Sequence, residues 1–248
     1  MKTLKRILSV LRVILVIIWG GLIIFSSKSY KADNRILDGY LQDLYRATYS
    51  NQKNCAVLST DSGAKDCLIF YPGANVEPNA YAPLCIKLAQ NGIHCIVVDM
   101  PYNLAFFGVN SADNVIKTMD ELNLGIENYY IAGHSLGGVA ACSYADKNSG
   151  NVKGVILLAS YSTKDLCDDG LPILSVYGSN DGVLNAEAYE KNKSNIADNL
   201  TETVIEGGNH AYFGIYGEQK GDYAADISNA EQIDRAADAI IKFISENK

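Results

Sequence analysis

The sequence predicts an α/β fold in which a mostly parallel central sheet is covered by helices on both faces. Apolar runs of about four to seven residues alternate with segments of helical periodicity, a pattern typical of parallel strands buried on both sides. A Gly-x-Ser-x-Gly sequence follows one of these runs and opens a helical segment. The 248 residues, 48% of them hydrophobic, are enough for one domain with a substantial core.

The first elements precede the regular alternation. Residues 30–50 carry apolar side chains three and four positions apart, which predicts a helix. Residues 55–60 are strand-like, and an Asp-Ser-Gly turn leads from them to the strand "CLIFYPG". A helix is expected at 79–90, since Asn91-Gly92 is a common helix stop.

The alternation then continues to the end of the chain. Apolar runs predict strands at "CIVVDMP", "YYIAG", "GVILLAS", "ILSVYGS" and "TETVIEG". Helical periodicity predicts helices at about 112–122, 136–145, 186–196 and 230–244. Parallel sheets of this kind bind ligands at the carboxyl ends of their strands, so functional residues are expected in the loops that follow the strands.

The amino terminus differs from the rest in charge and hydropathy. Residues 1–29 contain five basic residues and no acidic one, and residues 7–25 are apolar except for Arg12. As a helix, residues 7–25 would span roughly 28 Å, close to the thickness of a bilayer core. We therefore expect a membrane anchor at 1–29 that contacts the membrane through 7–25, a helical connector at 30–53 and the main domain at 54–248.

A cleaved signal peptide is the alternative for residues 1–29. Its apolar region is usually about 7–15 residues long, and Val13–Phe25 contains no charge. Ser27 and Ser29 offer only a weak cleavage site. In both cases the basic residues of this segment stay on the inner side of the membrane. The expected location is the cell membrane, crossed once with the domain outside, or the exterior after cleavage.

The charge of the remaining chain argues against one class of partner. Residues 30–248 carry 16 basic and 28 acidic residues, a net charge of −12. Such a surface repels phosphate backbones. Binding to nucleic acid is therefore not expected.

The six cysteines are scattered along the chain. They show neither a Cys-x-x-Cys spacing nor a Cys/His metal spacing. We interpret them as small buried hydrophobic residues, although an outward-facing domain could form disulfides. Cys55 and Cys67, on either side of the Asp61-Ser62-Gly63 turn, are then the first pair to test.

The sequence Gly133-His134-Ser135-Leu136-Gly137 has the pattern of a nucleophile elbow. A serine on a tight strand-to-helix turn takes a strained backbone conformation, which lifts its hydroxyl above the sheet edge. Side chains two positions to either side would collide, which explains the two glycines. Ser135 is thus a candidate nucleophile; the alternative is a glycine-rich turn with a capping serine.

A nucleophilic serine needs a base, and the chain contains three histidines. His94 begins a predicted strand and is expected at the wrong edge of the sheet. His134 lies inside the elbow, where its ring should point away from the Ser135 hydroxyl. His210 follows the strand "TETVIEG" at the expected edge, so elimination leaves it as the base.

A carboxylate should orient that imidazole. Asp181 follows the strand "ILSVYGS" and is the preferred candidate. Asp99 also ends a strand, but it precedes Ser135 in the chain and is ranked below Asp181, with a structural or capping role as its alternative.

Two backbone N–H groups are expected to stabilise a developing oxyanion. Leu136 would supply one at the start of a helix, where the helix dipole also favours negative charge. Ala74, in the loop after "CLIFYPG", would supply the other. The alternative for that loop is an ordinary turn made by proline and glycine.

The loop "MPYNLAFFGVN" holds the candidates for an apolar acyl pocket. These are Leu104, Phe106 and Phe107, with ordinary core packing as the alternative. The connection 161–171 is short, so we expect a minimal lid and a shallow, open pocket.

From about Cys67 to its end, the chain resembles the α/β-hydrolase fold, and more narrowly the bacterial, dienelactone-hydrolase-like fold-5 group. The resemblance rests on "YPGANVEPNAY", "MPYNLAFF", "GHSLGG", "LSVYGSNDG" and "EGGNHAYFGIYGEQKGD". It implies a catalytic triad of Ser135, Asp181 and His210, in the chain order of α/β-hydrolases. Dienelactone hydrolases proper use a cysteine nucleophile, so their lactone substrate is not carried over.

The residues and the resemblance together predict a serine hydrolase of carboxylic esters or related acyl substrates. It would work through an acyl-enzyme and need neither a metal nor a cofactor. One alternative is an acyltransferase or peptidase on the same triad. The other is a catalytically inactive binding protein at the cell surface.

Overall fold

The computed structural model describes residues 29–52, 54–167 and 170–248, together with residues 12 and 21. The strands in these residues are β1 (Ala47–Ser50), β2 (Cys55–Ser59), β3 (Asp66–Tyr71), β4 (Ile93–Val97), β5 (Asn128–His134), β6 (Val155–Leu158), β7 (Ile173–Gly178) and β8 (Leu200–Ile205). They form one sheet in the order β1-β2-β4-β3-β5-β6-β7-β8. β2 pairs antiparallel with β1 and with β4, and all other neighbours are parallel, which confirms the predicted sheet.

Helices cover both faces of this sheet, as the sequence predicts. They are α1 (Asn34–Gln42), α2 (Ala82–Gln90), α3 (Ser111–Glu121), α4 (Leu136–Ala145), α5 (Ala186–Asn192) and α6 (Asn229–Glu246). α1, α2 and α6 share a core with Leu68 and Phe70 of β3. α3 and α4 share the opposite core with Ile69 and Tyr71. Successive side chains of a strand point to opposite faces, so one strand serves both cores.

The parallel part of the sheet brings distant loops to one edge. β3, β5, β6, β7 and β8 run side by side in the same direction, so their carboxyl ends meet. The loops after β3, β5, β7 and β8 hold Ala74, Ser135, Asp181 and His210. This edge is where ligands bind in such sheets.

The structure corrects the prediction for residues 30–53. Helix α1 ends at Gln42, and Ala47–Ser50 forms an edge strand that pairs with β2. Arg46 has a φ of 53°, which a continuing helix does not allow. The segment is therefore a helix followed by a strand of the sheet, and not a helical connector throughout.

The predicted membrane segment, residues 7–25, lies outside the described residues apart from Arg12 and Gly21. In the part of the chain that the structure describes, no helix is both long enough and apolar enough to cross a membrane. The membrane anchor, the signal-peptide alternative and the location outside the cell stay predictions.

Five of the six cysteines are buried, which confirms their interpretation as small hydrophobic residues. The suggested pairing of Cys55 with Cys67 is wrong. β4 lies between β2 and β3, and the two side chains belong to cores on opposite faces of the sheet. A disulfide cannot join cysteines across a sheet in this way, because their Cβ atoms point apart.

Candidate active site

Ser135 lies on a strained turn between β5 and α4. Its φ of 51° and ψ of −121° are values that residues other than glycine rarely adopt. A Cβ atom on Gly133 would collide with the backbone of Gly137, and one on Gly137 would collide with the carbonyl of Tyr71. The expected strained turn from strand to helix and its need for both glycines are confirmed. The Ser160 hydroxyl donates to the Ser135 carbonyl at 2.7 Å and holds the turn.

Asp181 and His210 are joined by a buried hydrogen bond. Nδ1 of His210 lies 2.9 Å from Oδ2 and 3.1 Å from Oδ1 of Asp181, and the side chains are 1% and 4% exposed. Oδ1 of Asp181 also accepts the N–H groups of Val183 and Leu184, at 2.8 and 2.7 Å. Since the carboxylate only accepts, Nδ1 carries a proton, and Nε2 of the neutral ring is left with a lone pair.

Nε2 of His210 has no hydrogen-bond partner among the described residues, although it is buried. A buried polar atom without a partner is costly and is often found where a substrate or a catalytic group completes the site. Ser135 and His210 line the same cavity, but the structure contains no hydrogen bond from the serine hydroxyl to Nε2. Such bonds often form only when substrate is bound.

A second carboxylate, that of Asp222, holds the loops that carry the acid and the base. Its Oδ1 accepts the N–H of Gly182 at 3.0 Å and the N–H of His210 at 3.2 Å. Its Oδ2 accepts the N–H of Ala211 at 2.8 Å. The Asp222 side chain thus binds the backbone of both Gly182, next to Asp181, and His210.

A cavity of about 330 Å³ opens above the elbow. Four predicted site residues line it, namely Ala74, Ser135, Leu136 and His210. Asp181 lies behind His210, and its hydrogen bond reaches the cavity through the imidazole. The remaining wall comes from α4 and from the loops after β6 and β7, with Val139, Ala159, Ser160, Tyr161, Val183, Leu184 and Asn185.

The predicted pocket residues Leu104, Phe106 and Phe107 do not line this cavity. Phe106 and Phe107 are 55% and 53% exposed. They lie on a short 3₁₀ helix, Ala105–Phe107, that leaves their rings at the surface. The apolar wall instead includes Val139, Val183 and Leu184.

The other candidate residues lie where the sequence predicts. His94 is the second residue of β4, at the amino end, and its Nδ1 accepts the N–H of Ser59 at 3.2 Å. Asp99 is exposed, and its N–H donates to Asn54. The ring of His134 points away from the cavity, toward Tyr81 and the carbonyl of His210. Among the described residues, no group of three or more histidine, cysteine or acidic side chains could hold a metal ion.

The comparison with protein families agrees with this geometry. A model described as alpha/beta hydrolase family matches residues 67–234, which is more than half of the chain. The chain belongs to the alpha/beta hydrolase family. No curated protein matches this hydrolase in sequence.

Solved structures share the fold of this alpha/beta hydrolase at low sequence identity. Est1E from Butyrivibrio proteoclasticus is 15% identical, with a TM-score of 0.57 over 81% of this chain and 100% of that one. TT1662 from Thermus thermophilus is 14% identical, with a TM-score of 0.59 over 81% and 99%. The monoacylglycerol lipase of Paleococcus ferrophilus is 13% identical, with a TM-score of 0.56 over 75% and 96%.

Several residues that fix and enclose the site are not marked by the sequence. Val183 and Leu184 lie two and three positions after Asp181, so the rule that loops after strands line the ligand site could have found them. Asp222 and Tyr81 carry a weaker signal, because they lie 10 or more residues after the ends of β8 and β3. Only the folded chain reveals their contacts.

Proposed function

We propose that this alpha/beta hydrolase is a serine hydrolase of small carboxylic esters, with Ser135 as nucleophile, His210 as base and Asp181 as the group that orients the base. The unpaired, buried Nε2 of His210 is the observation that carries the proposal. Its partner nitrogen is bonded to Asp181, and its ring shares a cavity with Ser135. An imidazole held in this tautomer is suited to accept a proton from a nearby hydroxyl.

In the acylation step, Oγ of Ser135 forms a bond to the carbonyl carbon of the ester while its proton moves to Nε2 of His210. The N–H groups of Leu136 and Ala74 stabilise the negative charge on the carbonyl oxygen. Asp181 stabilises the imidazolium cation. Collapse of the tetrahedral intermediate breaks the bond to the alcohol oxygen, which takes the proton from Nε2.

In the deacylation step, water takes the place of the serine. His210 accepts a proton from water while the water oxygen bonds to the acyl carbon. The same two N–H groups stabilise the second tetrahedral intermediate. Its collapse releases the carboxylic acid and returns the proton from Nε2 to Oγ of Ser135, so the net reaction consumes one water and one ester.

The size of the cavity favours small substrates. About 330 Å³ is at the lower end of the range for small-molecule sites. Val139, Val183 and Leu184 give it an apolar wall. In the described residues 159–167 and 170–172, between β6 and β7, there is no helix or strand that would form a lid. Short acyl chains should therefore be hydrolysed faster than long ones.

The test is labelling of the purified protein with a fluorophosphonate probe, followed by hydrolysis of nitrophenyl esters of increasing acyl length. We expect the protein to be labelled, and Ser135→Ala to abolish both labelling and turnover. Ser143→Ala is the matched control, because Ser143 lies on α4 and its hydroxyl only bonds the Val139 carbonyl within that helix. It should be labelled like the natural protein.

Three results would contradict the proposal. Absence of labelling would favour the inactive binding protein. Labelling retained in Ser135→Ala would exclude Ser135 as the nucleophile. Faster turnover of peptide or thioester controls, or transfer of the acyl group to an added alcohol in place of water, would favour the peptidase or the acyltransferase.

A further inference from the structure

A buried series of hydrogen bonds links the loop after β3 to the backbone of His210. The N–H of Gly73 donates to the Tyr81 hydroxyl at 3.0 Å. The Tyr81 hydroxyl lies 2.9 Å from Nδ1 of His134, and Nε2 of His134 lies 3.0 Å from the carbonyl oxygen of His210. Both Tyr81 and His134 are fully buried.

The direction of every bond in this series follows from its two ends. The N–H of Gly73 can only donate, so the Tyr81 oxygen accepts there and directs its own proton to Nδ1 of His134. The carbonyl of His210 can only accept, so Nε2 of His134 carries the proton. In the neutral imidazole, which burial favours, the proton is therefore on Nε2 and Nδ1 is the acceptor.

The surroundings keep both groups in these states. Burial, and after it the neighbouring His210, holds the pKa of His134 well below its ordinary value. Burial also raises the pKa of Tyr81, so its hydroxyl keeps its proton. A Cβ atom on Gly73 would lie 2.8 Å from Nδ1 of His134 and 3.2 Å from the Tyr81 oxygen, so the loop packs directly on the pair.

The two ends of the series are the two loops that the proposed reaction must hold in register. Gly73 immediately precedes Ala74, the proposed oxyanion donor. At the other end, the N–H of His210 is bound by Asp222 and its carbonyl by His134. Both backbone polar groups of the proposed base are thus held by side chains.

We propose that Tyr81 and His134 are positioning residues that link the oxyanion loop at Gly73 to the backbone of the base His210. The inference rests on the proposed function. The ring of His134 also packs on that of His210, with centroids 4.7 Å apart, but neither side chain hydrogen-bonds to Ser135 or to Nε2 of His210. Their loss should therefore lower kcat far more than it raises KM. A misplacement of the base or of the oxyanion donor by about 1 Å can cost a factor of about 100.

The test uses three variants that break the series at different points. Tyr81→Phe removes the link to Gly73 and to Nδ1. His134→Gln can place an amide N–H near the position of Nε2 and keep the bond to the His210 carbonyl. His134→Asn can keep an acceptor near the position of Nδ1 and loses that bond. Steady-state kinetics on nitrophenyl acetate and thermal unfolding are measured for each.

We expect Tyr81→Phe and His134→Asn to lower kcat by about 10- to 100-fold, with KM changed less than about threefold. The pH profile of kcat/KM reports the pKa of the base, and it should shift in His134→Asn but stay close to that of the natural protein in His134→Gln. Tyr130→Phe is the matched control. Tyr130 is equally buried, on the same strand as His134, and its hydroxyl bonds the Asn247 carbonyl, outside the site.

Two results separate failure of this inference from failure of the proposed function. If the natural protein is neither labelled by fluorophosphonate nor active, both are overturned. Tyr130→Phe is expected to lose only thermal stability. If the natural protein is labelled and active, but all three variants behave like Tyr130→Phe and keep its kcat and pH profile, the inference alone is overturned. NMR of ¹⁵N-histidine-labelled natural protein checks the hydrogen-bond series without any substitution. A protonated Nδ1 on His134 would contradict the inference.

Discussion

The nucleophile side and the base side of the site are built in different ways. Ser135 is held by backbone geometry, in a turn where a Cβ atom on Gly133 would meet the backbone of Gly137 and one on Gly137 would meet that of β3. His210 is held by two carboxylates, that of Asp181 from the loop after β7 at its ring and that of Asp222, 12 residues after His210 in the chain, at its N–H. The nucleophile thus depends on close backbone packing within the turn and against β3, whereas the base depends on hydrogen bonds to two charged side chains.

This difference predicts different responses to mutation. Damage on the nucleophile side should affect folding and activity together, because the turn has no room to adjust. Substitutions on the base side should affect activity more than folding. Loss of a hydrogen bond shifts a loop slightly but introduces no steric clash that would unfold it.

The largest effect is expected for Gly137→Ala. The added methyl group would collide with the carbonyls of Tyr71 and Pro72, which are backbone atoms that cannot rotate away. We expect a loss of at least about 3 kcal/mol in the free energy of unfolding, measured by denaturant unfolding, and no fluorophosphonate labelling. Gly150→Ala is the control, since its methyl group would meet no atom within 4 Å. A folded and labelled Gly137→Ala variant would show that the elbow tolerates a side chain.

The second largest effect is expected on the base side, for Asp222→Ala. This change leaves the N–H groups of Gly182, His210 and Ala211 without their acceptor. We expect kcat on nitrophenyl acetate to fall by about 100-fold, and the free energy of unfolding by about 1–3 kcal/mol. Glu218→Ala, an exposed residue of the same segment, should leave both unchanged. If kcat of Asp222→Ala stays within twofold of the natural value, Asp222 does not position the base His210.

A smaller effect is expected on the selectivity for acyl length. Leu184, which lies three positions after Asp181 on the base side, forms part of the apolar wall of the cavity. Leu184→Ala keeps the backbone bond to Asp181 but enlarges the cavity. The ratio of kcat/KM for the hexanoate to that for the acetate nitrophenyl ester should rise by about 10-fold. Phe107→Ala should leave the ratio unchanged, because that ring lies outside the cavity. The opposite result would restore the pocket predicted from the sequence.

The smallest effect is in the pH dependence of stability, and it belongs to the nucleophile side. Burial first, and His210 second, lowers the pKa of His134 in the folded protein. As the pH falls below about 6.5, the unfolded chain takes up a proton that the folded one does not, so stability is lost by up to about 1.4 kcal/mol per pH unit. Above that pH the group is neutral in both states and contributes no slope.

The variant for this measurement is His134→Gln. Its free energy of unfolding should fall less steeply between about pH 7 and pH 5 than that of the natural protein. His94→Gln provides a comparison at the far edge of the sheet, because burial also lowers the pKa of His94. Equal slopes for His134→Gln and the natural protein would mean that His134 is not held neutral.

The sequence predicts the parallel sheet, the helices on both faces and the elbow because these depend on local patterns. Apolar periodicity marks each strand and helix, and Gly133 and Gly137 mark the turn. The prediction fails where a local pattern is overridden. The helical pattern predicts a helix over residues 30–50, but α1 ends at Gln42, and pairing with β2 makes Ala47–Ser50 an edge strand.

What the sequence by itself determines about this hydrolase is which residues can carry chemistry. The order of strands places Ala74, Ser135, Asp181 and His210 at the same edge, since parallel strands end together. Only the tertiary structure decides what holds and surrounds them. Tyr81 contacts His134, His134 contacts His210, and Asp222 contacts Gly182, each across 40 or more residues of the chain. Those contacts exist only once the cores on both faces of the sheet have packed.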